Sequence, residues 1–550
     1  MFSHGRLLHG NLRPPSIVPL VAGFFADSAP NSSADIHTGK STPSSQALSR
    51  TVLARGLLIG CCLVLIFALS CLRFTSLNAD FPNWSEWMID QAKFTDEGWW
   101  ASGAVNYFLL GHWNLPGDYN PAAALPVWPF LLGLVFRFTG VSIVAARALS
   151  VSLSIVTMGI VYTLVRRKSG IKSSFPALFA ALLLASSPFA YAFSRLAILE
   201  SLIIFEFCLA LLVATYLTSP FTAKSFGILG ALGLLIACMI LTKTTGVLLV
   251  PALGWVAWRM MGGKIPALLL SLVTLCAVPA GICKGYAIVV ANLGFGADYK
   301  YFFDVNAMED VDWTRAWETC VGVIQHGFWV DRVLFPVALA VLVLSVVWMR
   351  RLWQNPLYTA CWIAIAAEAA FVFRTGEDYA PRYFLVMLAP MVLIIVLAYA
   401  GLKERAPKAA ALLAFAMAVA VATNFFTTIG FATHRSYGLQ NAASAIKNTV
   451  RADATQQPMI FGVSASQVSL MTGIPSINDA YGLEDMSQKV AIYRPGWYLV
   501  WNSVSDSNTG LLAPFRLEEA GTYPVFDDDD RNKLVLFKMI ARPVAGQPHD

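Results

Sequence analysis

Long apolar segments recur along the chain and define its first predicted elements. Segment 51–72 is almost free of charge and is long enough to cross a bilayer as a helix, which takes about 20 residues. Comparable segments continue to residue 428, and together they predict eleven transmembrane helices. After the first, these helices are expected near residues 141–165, 174–193, 200–217, 225–243, 246–260, 265–291, 331–348, 357–373, 383–401 and 409–428.

The distribution of Lys and Arg decides between two topologies. Segments 121–138 and 141–165 are both apolar enough to cross. If both crossed, the basic cluster at 166–172 would lie outside, against the tendency of Lys and Arg to remain on the cytoplasmic side. We therefore predict that only 141–165 crosses, and that the proline-interrupted segment 121–138 lies along the outer surface. The N-terminus is then inside and the C-terminus outside.

Three regions outside the predicted helices are long enough to carry a function, and all are expected on the outer face. They are two loops, 74–140 and 292–330, and the C-terminal segment 431–550. That segment has apolar residues at helical spacing over 437–450 and strand-like runs afterwards. The strand-like runs are 459–463, 497–501 and 534–540. These patterns predict a polytopic α-helical membrane domain over 51–430 and a small soluble α/β domain over 431–550.

Two polar segments each allow two interpretations. Residues 1–50 are rich in Ser, Pro, Asn and Gly, and their short apolar stretch 17–25 resembles the core of a signal peptide. That stretch is brief and a true spanning segment follows, so we predict a disordered cytoplasmic tail. The acidic run 527–530 lacks the spaced ligands of a calcium loop, and we predict a solvated turn there.

Composition narrows the class of protein. The chain has 550 residues, of which 57% are hydrophobic and 13% charged, a balance that excludes a soluble enzyme. The formal net charge of +6 does not indicate nucleic-acid binding, because what matters is where Lys and Arg fall relative to the apolar segments. The nine cysteines lie in apolar segments except Cys320, so we expect no disulfide framework.

The strongest candidate for chemistry is an acidic pair, Asp96-Glu97, followed shortly by two tryptophans. The alternative is a solvated loop acid beside an interfacial belt of tryptophans, which is common in membrane proteins. Four basic residues are predicted to lie at the same outer boundary, although Lys and Arg are generally disfavoured on that side. A glutamate and a tyrosine accompany them. These residues are Arg147, Arg195, Glu200, Lys243, Arg382 and Tyr383. Together they look like a phosphate clamp that faces a base.

These pieces, in this order, resemble the GT-C-fold glycosyltransferases that use polyprenyl-phosphate sugars, the class that includes protein O-mannosyltransferases and aminoarabinose transferases. The resemblance covers residues 52 to about 400. It rests on Asp96-Glu97 in the first outer loop, the proline-rich segment leading to Arg147, Arg195 with Glu200, Lys243 in a turn, and Arg382-Tyr383 before a helix that contains Pro390. The chain departs from the pattern at Asn120-Pro121-Ala122, where many relatives have Lys-Pro-Pro or His-Pro-Pro, and at Glu200, where the acid is often Asp.

The resemblance implies an integral-membrane glycosyltransferase that moves a sugar from a polyprenyl-phosphate donor to an acceptor hydroxyl on the outer face, with inversion. Asp96 would be the catalytic base, and Glu97 would orient Asp96 or the acceptor. The substrate-binding residues would be Arg147, Arg195, Glu200, Lys243, Arg382 and Tyr383. The expected partners are the lipid-linked donor, a glycan, lipid or protein acceptor, and the bilayer, with no nucleic acid. No cofactor is expected: a divalent metal could bind where acids cluster, but no His or Cys ligand spacing supports one.

Two other classes of protein fit the same apolar segments. A transporter or flippase of lipid-linked envelope precursors would explain the helices, but it would place polar groups near the middle of the bilayer rather than at its outer boundary. A non-catalytic scaffold would use the C-terminal domain to bind a partner. We expect the glycosyltransferase, in a bacterial inner membrane, with its active site facing the periplasm.

Overall fold

The computed structural model describes residues 45–170, 174–306, 316–375 and 380–542, apart from residues 527, 529 and 530. The predicted N-terminal tail therefore lies almost wholly outside the described residues. The same holds for most of the acidic run predicted to be a solvated turn, for the middle of the second outer loop and for residues 376–379.

Helices α1 to α16 make up the membrane part of the described chain. They are Ser45–Phe74 (α1), Asp96–Leu110 (α2), Val127–Thr139 (α3), Ile143–Lys168 (α4), Phe175–Ser186 (α5), Pro188–Ser194 (α6), Leu199–Ala214 (α7), Ala223–Thr242 (α8), Val250–Met260 (α9), Ile265–Asn292 (α10), Gly296–Val305 (α11), Ala316–Val330 (α12), Leu334–Val347 (α13), Pro356–Thr375 (α14), Leu385–Leu402 (α15) and Pro407–Thr433 (α16).

Seven helices of the described chain are long and apolar enough to cross a membrane, and there are up to nine spans if two bent pairs each count as one. The seven begin with α1 and α4, and they continue with α8, α10, α14, α15 and α16. The bent pairs are α5 with α6, at 60°, and α12 with α13, at 118°. The prediction of a polytopic helical membrane protein is confirmed. The other two predicted spans fall on α7 and α9, whose 16 and 11 residues are short of a full crossing.

Helix α15 lies at the centre of the membrane domain. Every residue from Leu385 to Ala400 is buried, and the helix packs against α5, α13 and α14. A helix that is apolar on all sides is buried by its neighbours. Because lipid tails are as apolar as these side chains, close packing rather than exclusion of water holds the helices together. A 3-10 turn over Pro381–Phe384 leads into α15 and fixes Arg382 at its N-terminal end.

The break between α5 and α6 exposes backbone carbonyls inside the protein, and Arg73 satisfies them. Pro188 at the start of α6 has no N–H to continue the helix. The fully buried guanidinium of Arg73, at the end of α1, donates to the carbonyls of Leu184, Ala185 and Ala190 at 2.8 to 3.0 Å. Arg73 also donates to the Ser194 hydroxyl at 2.8 Å, so the end of α1 holds the start of the turn that joins α6 to α7.

The C-terminal domain contains a five-stranded sheet with helices packed against it. Its helices are Gly438–Ala452 (α17), Ala465–Thr472 (α18), Met486–Tyr493 (α19) and Asp506–Leu511 (α20). Its strands are Ile460–Phe461 (β1), Ser476–Ile477 (β2), Trp497–Trp501 (β3), Phe515–Pro524 (β4) and Lys533–Ala541 (β5), in the order β2-β1-β3-β5-β4. Strand β1 runs parallel to β2 and β3, whereas β5 is antiparallel to β3 and β4. The predicted α/β character of this domain is confirmed.

The three regions predicted to be outside contact one another. Helix α2, from the first loop, packs against α18. In the same loop, Asp118 forms an ion pair with the buried Lys489 of α19 at 3.3 Å. From the second loop, the hydroxyl of Tyr301 accepts a hydrogen bond from the Gly482 N–H at 3.0 Å. All three regions therefore lie on the same side of the membrane domain.

Candidate active site

Two buried carboxylates converge on one guanidinium where the first outer loop meets the membrane helices. Arg382 donates through Nη1 to Asp90 Oδ1 at 2.6 Å, and its backbone N–H donates to Asp90 Oδ2 at 2.8 Å. Its Nη2 lies 2.9 Å from Asp96 Oδ2. Asp96 is the first residue of α2, and Asp90 accepts from the Ala92 N–H at the start of a short 3-10 turn. The three side chains are thus fixed by backbone elements rather than by free loops.

Lys243 and Glu200 extend this group of side chains on its membrane side. We call the whole group the Arg382 cluster; its members are Asp90, Asp96, Glu200, Lys243, Arg382 and Tyr383. Lys243 follows the last residue of α8, in extended backbone, and forms an ion pair with Glu200 in the first turn of α7. Its ammonium group lies 4.0 Å from the centre of the Tyr383 ring, a cation–π contact. Arg382 Nε lies 3.8 Å from Glu200 Oε1, so Glu200 connects the two cations.

The polar groups of this cluster are buried but incompletely hydrogen-bonded. The exposed fraction is 4% for Asp96 and 2% for Glu200. Asp96 Oδ2 faces Arg382 Nη2 in the ion pair at 2.9 Å, whereas Glu200 Oε2 accepts no hydrogen bond from the described residues. Buried carboxylate oxygens normally have such partners, so Glu200 Oε2 has capacity for a further donor.

Burial raises the pKa of Asp96 above its usual range, because the ionised form loses its hydration. The guanidinium of Arg382 opposes this shift, while the neighbouring carboxylates of Asp90 and Glu200 add to it. The result is a carboxyl group of higher proton affinity than an exposed aspartate, placed beside a fixed cation.

Glu97, the next residue, belongs to a different network. Both of its oxygens accept from Arg147, through Nε and Nη2, at 2.7 Å each. The backbone N–H of Ala197 and the side-chain amide of Gln467 complete the set at 2.7 and 3.0 Å. Arg147 uses its remaining nitrogen on the carbonyls of Leu77 and Ala79. The sequence predicted a catalytic role for Glu97 and substrate binding by Arg147. In the structure, the two side chains are hydrogen-bonded to each other and to other groups of the protein.

Arg195 also lies apart from the Arg382 cluster. Its guanidinium donates to the backbone carbonyls of Arg73, Thr75 and Ser76, at the end of α1 and just beyond it, at 2.7 to 2.9 Å. The structure therefore brings five of the predicted site residues together and places three elsewhere. The five are Asp96, Glu200, Lys243, Arg382 and Tyr383, and the three are Glu97, Arg147 and Arg195.

Solved structures with this architecture were found. ArnT from Cupriavidus metallidurans in the apo state matches 90% of this chain and 98% of its own, with a TM-score of 0.54 and 15% identity. ArnT bound to undecaprenyl phosphate matches 86% and 97%, with a TM-score of 0.53 and 13% identity. The Archaeoglobus fulgidus oligosaccharyltransferase in complex with Zn and sulfate matches 87% and 73%, with a TM-score of 0.50 and 13% identity. The chain has the GT-C fold.

A family model described as dolichyl-phosphate-mannose-protein mannosyltransferase matches residues 120–302 of this GT-C chain. The matched segment contains Glu200 and Lys243, whereas Asp96 and Arg382 lie on either side of it. The resemblance drawn from the sequence is confirmed. No curated protein sequence is a significant match.

Three acidic residues near the site were missed by the sequence reasoning. Asp90 gave no signal, because it lies in an irregular loop among the interfacial tryptophans. Glu206 and Glu368 did give one, since each is an ionisable residue inside an apolar segment predicted to cross the membrane. Both are buried, and Glu206 accepts a hydrogen bond from the Thr242 hydroxyl, next to Lys243, at 3.1 Å.

The carboxylates of the cluster are paired with two cations, Arg382 and Lys243. Among the residues that the structure describes, no group of three His, Cys, Asp or Glu side chains has the geometry of a metal site. The arrangement offers two fixed positive groups and one carboxylate of raised proton affinity, which suits an anionic substrate that reacts with a hydroxyl group.

Proposed function

We propose that this chain is a membrane glycosyltransferase that moves a sugar from a polyprenyl-phosphate donor to an acceptor hydroxyl. The observation that carries the proposal is the position of Asp96, buried with Oδ2 2.9 Å from Arg382 Nη2, in the same cluster as the ion pair of Lys243 with Glu200. In the proposed reaction, a base for the acceptor and cations for the leaving group stand side by side. A transporter that only moves a lipid-linked precursor across the bilayer would not need a base at this position.

The leaving group explains the two cations. A sugar attached to a phosphate departs with negative charge developing on the phosphate oxygens, so no acid is needed to protonate it. Arg382 and Lys243 supply fixed positive charge where that charge develops. Before the donor binds, these cations are neutralised by Asp90 and Glu200. The donor phosphate joins them, with Tyr383 packed against Lys243.

Asp96 provides the complementary step. The acceptor hydroxyl is a weak nucleophile, and a carboxylate within hydrogen-bond reach removes its proton as the new bond forms. The bond between the acceptor oxygen and the anomeric carbon forms while the bond from that carbon to the phosphate oxygen breaks. The proton passes to Asp96, and the electron pair leaves with the lipid phosphate. A single displacement without an enzyme nucleophile inverts the anomeric centre.

The donor class and the side of the membrane follow from separate observations. ArnT, which shares the fold, was solved with undecaprenyl phosphate bound, and this supports a polyprenyl phosphate as the carrier. Most Lys and Arg residues between the predicted spans lie at the helix ends away from the site, and such residues favour the cytoplasmic side. We therefore assign the site to the periplasmic face of a bacterial inner membrane, with a hydroxyl of a glycan, lipid or protein as acceptor.

The decisive experiment replaces the base. Asp96→Asn keeps the size and hydrogen-bonding reach of the side chain but accepts no proton, and we expect turnover to fall by about 10²–10⁴-fold while donor affinity changes little. The measurement is transfer of label from radiolabelled undecaprenyl-phosphate sugars to an envelope extract, together with binding of the donor.

Asp304→Asn is the matched control, because Asp304 is an exposed aspartate in an outer loop. Its transfer rate should equal that of the wild type. Transfer by Asp96→Asn at the wild-type rate would overturn the proposal and favour a transporter.

A further inference from the structure

The helix that begins with Asp96 has no cap from its own sequence. The first N–H groups of a helix lack partners within the helix, and the side chain of the residue just before it usually supplies one. That residue is Thr95, whose side chain makes no capping hydrogen bond. The start of α2 would therefore be left open by the residues around it.

Gln467 of the C-terminal domain fills this gap. Its side-chain oxygen accepts from the Gly98 N–H at 2.8 Å, the third N–H of α2 and the position that a capping side chain normally reaches. Its side-chain nitrogen donates to Glu97 Oε2 at 3.0 Å. Gln467 has no exposed surface. One side chain thus holds the two residues that directly follow Asp96.

The backbones at this contact are as close as they can be. A Cβ atom at position 98 would lie 2.2 Å from the backbone nitrogen of Gln467 and 2.3 Å from the carbonyl carbon of Ser466. Only glycine allows this approach. A second hydrogen bond, from the indole of Trp99 to the carbonyl of Val463 at 3.0 Å, fixes the same turn of α2.

The consequence concerns the direction in which Asp96 points. The side chain of a first-turn residue is oriented by the backbone of that turn, and displacement of a catalytic group by about 1 Å costs on the order of 10²-fold in rate. We infer that Gln467 is a positioning residue, through which the C-terminal domain caps α2 and holds Asp96 toward Arg382. This inference rests on the proposed role of Asp96.

The test compares two buried residues of the same interface, each replaced by methionine. Gln467→Met removes both hydrogen bonds with little change in volume. Lys489→Met removes the ion pair with Asp118, which lies in the same loop as Asp96 but after the end of α2. Loss of that pair leaves a buried carboxylate unpaired, so Lys489→Met is expected to destabilise the domain contact at least as much.

We expect Gln467→Met to lower kcat by about 10- to 100-fold with the KM for donor and the affinity for undecaprenyl phosphate nearly unchanged. Lys489→Met should lower the thermal unfolding temperature more and kcat less. If both variants lower kcat in proportion to their loss of stability, Gln467 serves domain contact alone and the inference fails. Gln467→Asn, which is one methylene shorter, provides a milder variant and should show the same pattern with a smaller fall in kcat.

These outcomes are separable from failure of the proposed function. If Asp96→Asn is inactive and Gln467→Met has wild-type kcat, only the positioning role is wrong. If Asp96→Asn retains full transfer, the proposed base is wrong whatever Gln467 does.

Discussion

Asp96 and Glu97 are adjacent in sequence, share the first turn of one helix and are both buried, yet their surroundings are opposite. Glu97 receives four hydrogen bonds, two of them from Arg147, one from a backbone N–H and one from Gln467. Asp96 has one charged partner, Arg382 Nη2 at 2.9 Å, and a long hydrogen bond from the Thr95 hydroxyl at 3.3 Å.

The difference is the basis for the proposal that Glu97 supports the fold while Asp96 acts in the reaction. A buried charge whose hydrogen bonds are all satisfied has no capacity left for a substrate. A buried charge with few hydrogen bonds costs free energy in the empty protein, and such a cost is found at functional sites. Substitutions that remove one residue from the Glu97 network or from the Arg382 cluster test this difference between the two carboxylates.

The largest effect on stability is expected at the Glu97 network. Arg147→Met leaves Glu97 buried and without its charged partner, which destabilises a protein by about 3–5 kcal/mol. Unfolding of the purified protein in detergent measures the loss. Arg332→Met is the control, because Arg332 pairs with Glu86 at an exposed position and such pairs contribute about 0–1 kcal/mol. Equal unfolding of the two variants would contradict a structural role for Glu97.

A smaller effect, on binding rather than stability, is expected at Lys243. A charge-assisted hydrogen bond contributes about 1.5–3 kcal/mol, so Lys243→Ala should weaken binding of undecaprenyl phosphate by about 10- to 150-fold. Lys243→Arg keeps the charge and should retain part of the affinity. Lys224→Ala, at an exposed lysine elsewhere, serves as control. Unchanged affinity in Lys243→Ala would remove this residue from the donor site.

The smallest effect is a shift in the pH profile. Because burial raises the pKa of Asp96, the ionised base appears only above the usual range for aspartate, near 3.9, and kcat should rise with pH through the raised value. Asp90 adds to the upward shift, so Asp90→Asn should move the rise in kcat to lower pH. A profile that is identical in Asp90→Asn and wild type would show that Asp96 does not set it.

The sequence was informative about the fold where one physical cause dominates. Apolar length placed the spanning helices, and helical spacing placed the buried face of α17, with Leu439, Ile446 and Val450 inside. Strand β3 was found with its observed bounds, Trp497–Trp501. Strand β4 was missed because it lies at the sheet edge with Glu518 and Glu519 exposed, and it therefore lacks a regular apolar alternation.

The candidate site was predictable in part, for a reason that Arg195 illustrates. Charge at an outer boundary is visible in a sequence, but its partner is not. Arg195 lies five residues before Glu200, yet its guanidinium donates to backbone carbonyls at the end of α1. Arg382 lies far from Glu200 in the sequence, but the fold brings the two side chains together. Asp90 shows the converse, because only the fold brings it to Arg382.

The contact between Gly98 and Gln467 joins residues 369 positions apart in the chain, and this separation has a consequence for biosynthesis. Ribosomes add roughly 5–20 residues per second, so α2 is made and inserted on the order of a minute before its cap exists. During that time the first outer loop is exposed without its final support. A chain that ends early can enter the membrane with every residue of the Arg382 cluster present, and still lack the part that orients Asp96. The inferred role of Gln467 thus makes activity depend on synthesis of the C-terminal domain.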